Sequence, residues 1–155
     1  MVLLAKVITV SDGVADGTRE DRSGAALEAY LSEAGFTVVT RIVTADGVEA
    51  VAETLRAACA GFAGLVVTTG GTGFGPRDLT PEGTRVVMDR EAPGLAEVMR
   101  LVSPLGRLSR AVAGTVGACL VVNTPGSSTG CIETLAAVVD VVPHALDLLQ
   151  GGRPH

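Results

Sequence analysis

The chain has 155 residues, 47% of them hydrophobic and 19% charged, which fits a single packed domain over residues 1–155 and excludes an intrinsically disordered chain. A formal net charge of −5 and an aromatic content of 3% exclude a general polyanion-binding surface and a stacking platform for single-stranded nucleic acid. An anionic ligand would therefore need a local site of backbone N–H groups, a few cations or a metal.

In chain order, the apolar, β-branched run Val2 to Val10 predicts a first strand. A polar loop from Ser11 to Glu20 follows it. Asp21 to Ala34 predicts a helix with Leu27, Leu31 and Ala34 on one face and Gly35 as its stop. Phe36 to Val43 reads as a second strand. Gly47 to Ala60 carries Val48, Val51, Ala52, Leu55 and Cys59 at helical spacing. Asp46 and Glu49 are placed for a capping box at its start.

Leu65 to Thr68 is a short continuous apolar run, as expected of a strand buried on both faces. A glycine-rich loop leads from it to a helix with Thr80 as N-cap and Pro81 at its first position. Gly94 to Val102 predicts another helix. Ser103 to Gly117 reads as loops around a short strand. Cys119 to Val122 is a second buried strand, followed by a Pro/Gly/Ser loop. Ile132 to Leu149 predicts one long helix kinked at Pro143, and Gly151 to His155 a frayed tail.

Strands alternating with helices predict an α/β fold: a mostly parallel sheet covered by helices on both faces. Ligands of such sheets bind beyond the carboxyl ends of the strands. Both glycine-rich loops leave strands at that edge, so they should share one crevice. No segment predicts a membrane span or a signal peptide. Cys59, Cys119 and Cys131 are scattered, without CxxC spacing, and read as reduced buried thiols. Together these features lead us to expect a cytoplasmic protein.

Three segments could carry chemistry. In the run from Thr68 to Glu82, glycines directly after a buried strand allow positive φ and bring backbone N–H groups close to an anion. Gly70, Gly71 and Gly73 would form the cradle, Thr72 would add a hydroxyl and Arg77 a cation. The Walker signature is excluded because no Lys is present, and the dinucleotide fingerprint because its third glycine is misplaced. Asp78 reads either as a turn residue or as a Mg²⁺ ligand, since an acid beside phosphates needs a cation between them. The second segment, Asn123 to Gly130, repeats the strand–loop–helix logic with Pro125, Gly126 and Ser127, or is an ordinary connection. The third, Ser11-Asp12-Gly13, faces the same crevice by its position at the end of the first strand, or is a plain turn. Asp46 is explained by a helix cap alone. His144 and His155 are not set at zinc-ligand spacing, and no hydrolase triad emerges.

With these residues in place, the chain resembles the molybdopterin adenylyltransferase family over essentially its whole length. The central run Thr68-Thr69-Gly70-Gly71-Thr72-Gly73 through Arg77-Asp78 to Thr80-Pro81-Glu82 is the most specific match. Ser11-Asp12, Asp46, Asp89 to Gly94 with Glu97 and Arg100, Ser109-Arg110 and Asn123 to Ser127 extend it. The sequence departs from the family in the last loop, where Thr124 replaces Leu and Ser128 replaces Pro. The resemblance implies a three-layer α/β/α homotrimer that joins ATP and molybdopterin into adenylyl-molybdopterin and pyrophosphate with Mg²⁺. It implies catalytic or metal-binding roles for Asp46 and Asp78, and substrate contacts at the Ser11, Asp12, Glu97 and loop positions. It also implies molybdenum-insertion proteins as partners. A non-catalytic pterin-binding paralogue and a related nucleotide pyrophosphatase share the fold and stand as alternatives.

Overall fold

The computed structural model describes residues 1–153. A six-stranded sheet has the order β2-β1-β3-β6-β5-β4. Its strands are β1 (Leu4–Val10), β2 (Thr37–Thr44), β3 (Gly64–Thr69), β4 (Arg90–Glu91), β5 (Ala113–Val116) and β6 (Cys119–Thr124). The first four in spatial order are parallel, and β5 and β4 are antiparallel additions.

Strand alternation splits the core into two layers. Ala5, Val7, Leu65, Val67, Leu120 and Val122 face one cluster, and Ile8, Val10, Val66, Cys119 and Val121 face the other. The first is covered by α2 (Arg22–Glu33), α5 (Pro93–Arg100), α6 (Ser128–Ala136) and α7 (Val142–Leu149). The second is covered by α3 (Val48–Cys59), against which α4 (Thr80–Val87) packs. The three-layer α/β/α expectation holds. All three cysteines are free and buried. No helix of the described residues is long and apolar enough to cross a membrane.

Several local expectations are corrected. The loop after β1 contains a short helix, α1 (Asp12–Ala15), whose N-cap Ser11 accepts a hydrogen bond from Val14 N–H. Asp46 does not cap α3. Gly47 occupies that position at φ 117°, with no side-chain cap, because Asp46 turns its carboxylate toward Asp12 instead. Thr80 is likewise displaced: Leu79 is the N-cap of α4, and the Thr80 hydroxyl donates across the loop to Gly70 O at 2.8 Å.

The single helix expected over 132–149 is two helices, starting earlier at Ser128 and joined by a 3-10 turn at Val139–Val141. Pro143 lies in the first turn of α7, where its missing N–H costs nothing, so it starts a helix rather than kinking one. Of the tail expected to fray, residues 154 and 155 lie outside the described residues.

Candidate active site

β1, β3 and β6 end side by side, and the loops that leave them are stitched together. Gly70 N–H donates to Thr124 O at 3.0 Å, and Thr69 Oγ1 donates to Pro125 O at 2.7 Å. Gly70 and Gly71 have φ of 101° and 69°, which favour glycine. A Cβ on Gly70 would strike Val10 O, and one on Gly71 would strike Thr80 Oγ1. The close approach therefore requires both glycines. The Gly70 N–H is committed to the neighbouring strand, so this glycine shapes the cradle rather than donating to a ligand. Buried Asn123 braces the edge from below, donating to Thr68 Oγ1 and Thr84 Oγ1 at 3.0 Å each.

A polar cavity of about 690 Å³ opens above this edge. Of the expected residues, Ser11, Asp46, Gly70, Gly71, Asp78, Gly126 and Ser127 line it. A second, largely apolar cavity of about 510 Å³ adjoins it, lined by Met99, Leu105 and Leu108 among others. Thr72, Gly73 and Pro125 line that one, and Ser127 lines both. Three expected residues line neither: Asp12, Arg77 and Glu97. Glu97 is exposed on α5.

Arg77 is held away from the cavity by Asp12. Its Nε and Nη2 donate to the two Asp12 oxygens at 3.0 and 3.1 Å, and Nη2 also reaches Asp46 O at 2.9 Å. These bonds hold the Asp12 carboxyl below its ordinary pKa, the Arg77 hydrogen bond contributing most. The cations that line the polar cavity are instead Arg19 and Arg22. Sequence reading passed over both, because they lie at the junction of a polar loop and a helix start. Two arginines three apart beside Ser11-Asp12 were the available signal.

Asp46 has the opposite character to Asp12. Burial pushes its carboxyl above the usual value, and the charges of Asp12 and Asp78 add to this, against the hydrogen bond from Asp12 N–H. Asp78 accepts from Gly75 N–H at 2.9 Å through Oδ2, which is turn chemistry, yet it also lines the cavity. Its turn and ligand readings are therefore compatible. No group of three or more metal-ligating side chains occurs among the described residues. Four acidic residues line the polar cavity, of which Asp21 is engaged by Thr9, Gly24 and Arg41, and Glu20 by Arg22. The remaining two, Asp46 and Asp78, fit Mg²⁺, which takes one or two carboxylates together with substrate phosphates.

Of the two departures in the last loop, Ser128 lines the polar cavity and Thr124 does not. Thr124 is buried, donates to Thr68 O at 2.7 Å and lines neither cavity. Ser127 caps α6 by accepting from Gly130 N–H at 2.9 Å, and Ser128 begins that helix.

The family model described as probable molybdopterin binding domain matches residues 6–144. The chain belongs to this family. It is 37% identical over 152 residues to the molybdopterin adenylyltransferase of Helicobacter pylori strain J99, covering 94% of this chain and 86% of that protein. It is 35% identical over 153 residues to the molybdenum cofactor biosynthesis bifunctional protein of Synechococcus elongatus, covering 96% of this chain. Of that bifunctional relative the chain spans only 48%. The crystal structure of the molybdopterin biosynthesis enzyme MoaB from Thermus thermophilus superposes with a TM-score of 0.89 at 43% identity, over 97% of this chain and 98% of that one.

Proposed function

We propose that this protein transfers the adenylyl group of ATP to the terminal phosphate of molybdopterin, giving adenylyl-molybdopterin and pyrophosphate. The observation that carries the reading is the placement of Asp46 and Asp78 on one polar cavity that meets an apolar cavity at Ser127. The polar cavity suits the phosphates of both substrates, and the apolar one a heterocycle.

The nucleophile is a phosphate oxygen, anionic at neutral pH, so no strong general base is needed. The barrier lies in repulsion between two phosphate groups, and catalysis reduces to positioning and charge neutralisation. Gly71 and Gly126 let the phosphates approach the backbone, Arg19 and Arg22 supply positive charge, and the start of α6 faces the same cavity. Asp46 and Asp78 would hold Mg²⁺. Mg²⁺ bound with the triphosphate supplies charge neutralisation and stabilises the leaving pyrophosphate.

The reading includes a cytoplasmic homotrimer that hands its product to a molybdenum-insertion protein. Leu101 and Leu105, 83% and 75% exposed, give the monomer apolar surface to cover. Light scattering at micromolar concentration tests the trimer. Incubation with molybdopterin and Mg-ATP, followed by mass analysis, tests the reaction. Adenylylated pterin is expected. Pterin binding without product would identify a non-catalytic paralogue, and pyrophosphate release without pterin a pyrophosphatase.

A further inference from the structure

Arg110 lies outside both cavities, between the 3-10 helix Pro104–Leu108 and β5. Its backbone N–H donates to Thr72 O at 2.9 Å. Its guanidinium donates through Nε to Gly73 O at 2.8 Å, through Nη2 to Asp78 O and through Nη1 to Glu82 Oε2. One residue therefore closes the loop 72–79 at both ends and ties it to the first turn of α4.

Besides Arg110, Arg77 (bonded to Asp12 and to Asp46 O) and Thr80 N–H (to Gly71 O at 3.0 Å) anchor the loop, but neither reaches the Gly73 or Asp78 carbonyl. The loop contains Gly73 and Gly75, its tip residue Phe74 is 70% exposed, and its internal bonds include Asp78 N–H to Gly75 O at 3.0 Å. Two glycines in a loop of this size leave many backbone states to be excluded. Glu82 is the matching half of the clamp. Burial opposes its charge, but the Arg110 hydrogen bond and charge prevail and keep its carboxyl below the ordinary value. Its other oxygen, Oε1, is buried without a hydrogen-bond partner. Such an oxygen is costly to keep, and the cost is offset only while the arginine stays paired with Glu82.

We propose that Arg110, oriented by Glu82, is a positioning residue: it holds the Gly73 and Asp78 carbonyls so that the Asp78 carboxylate stays aimed into the polar cavity. This rests on the adenylyl-transfer reading for its consequence, but not for its geometry. A planar guanidinium is needed, because three acceptors lie in different directions around one group. The Lys ammonium is a compact point charge that does not reproduce the fork.

The test uses Arg110→Lys and Glu82→Gln in the full chain. Hydrogen exchange of the amides of residues 73–78 is measured first, without substrate, and faster exchange in both variants is expected. Turnover at 25 °C is measured next. Arg110→Lys should lower kcat by about ten- to hundredfold, the effect of small misplacement of a reacting group, with KM for ATP within about threefold of wild type. Arg110→Gly should recover part of its kcat on addition of guanidinium ion, but not of methylammonium ion. Unchanged exchange across 73–78 overturns the clamp. Wild-type kcat in Arg110→Lys, or a loss confined to KM, overturns its positioning role. A wild-type protein that makes no adenylyl-molybdopterin overturns the functional reading alone, since the exchange result still judges the clamp.

Discussion

Asp12 and Asp46 hold each other through two reciprocal hydrogen bonds: Asp12 N–H donates to Asp46 Oδ2 at 2.9 Å, and Asp46 N–H donates to Asp12 Oδ1 at 3.1 Å. The turns after β1 and β2 are thereby locked together. The two carboxylates end in opposite states. Asp12 is neutralised by Arg77, whereas Asp46 is left half-buried, facing the cavity.

Replacing Asp46 by Asn separates charge from shape. The amide oxygen can still accept from Asp12 N–H, and no helix cap is at stake. Melting temperature should stay within a degree or two of wild type or rise, because a carboxyl with a raised pKa costs stability when ionised. Turnover should fall at least about tenfold, on the order of 1.4 kcal/mol in the barrier. Asp46→Ala should lose activity similarly and also cost roughly 0.5–1.5 kcal/mol for the lost hydrogen bond. Thermal melts and initial rates of both variants decide it; wild-type turnover in Asp46→Asn would remove the residue from the reaction.

The same two residues set opposite pH dependences. Asp12 has a lowered pKa in the fold, so its contribution is full above the unfolded value of about 3.9 and lost as pH falls through the folded one. Asp46 has a raised pKa, so its contribution is present below about 3.9 and lost as pH rises through the folded value. The stability gap between wild type and Asp12→Asn should therefore shrink on acidification below about pH 4. Melts of Asp46→Asn against wild type should show that variant gaining relative stability as pH rises from 3 to 7. A gap independent of pH in either case would contradict the assignment.

Asp78→Asn should abolish adenylyl transfer with little loss of fold. The Asn side-chain oxygen can still accept from Gly75 N–H, so the turn is kept while the charge is lost. Product formation by mass and circular dichroism of the same sample check it. Wild-type turnover would leave Asp78 with its turn role alone.

The buried strands and the glycine loops were legible in the sequence because their signals are local. Leu65 to Thr68 and Cys119 to Val122 are unbroken apolar runs that only a doubly covered strand needs, and each feeds a glycine turn. Arg90–Glu91 escaped because a two-residue edge strand with both side chains exposed has no apolar alternation to show. The break between α6 and α7 escaped because both helices present apolar faces to the same cluster, so the hydrophobic pattern runs through the joint. Asp46 was misread as a cap for a different reason. Capping is inferred from neighbours in sequence, whereas its real partner, Asp12, is 34 residues away.

The least sequence-visible feature of the site is which arginine meets phosphate. Arg77 sits in the family run and is the obvious candidate, yet its guanidinium is bound to Asp12 and to Asp46 O. Arg19 and Arg22 line the cavity instead, and Arg22 is drawn toward Glu20 at 3.4 Å in a pair so exposed that it restrains little. Arg19 and Arg22 should therefore both be available to the incoming triphosphate in a chain of net charge −5. Arg19→Ala should raise KM for ATP about three- to tenfold, a ground-state binding loss of roughly 0.6–1.4 kcal/mol, with kcat nearly kept. The increase should shrink at high salt, because screening weakens an exposed charge contact in the wild type as well. Arg77→Ala should behave differently. It frees Asp12, loosens the tie between the first two turns and lowers kcat more than it raises KM. Steady-state kinetics of the two variants at low and high salt separate the roles. A KM effect confined to Arg77→Ala would show that Arg77 leaves Asp12 for the substrate and that Arg19 is only part of the wall.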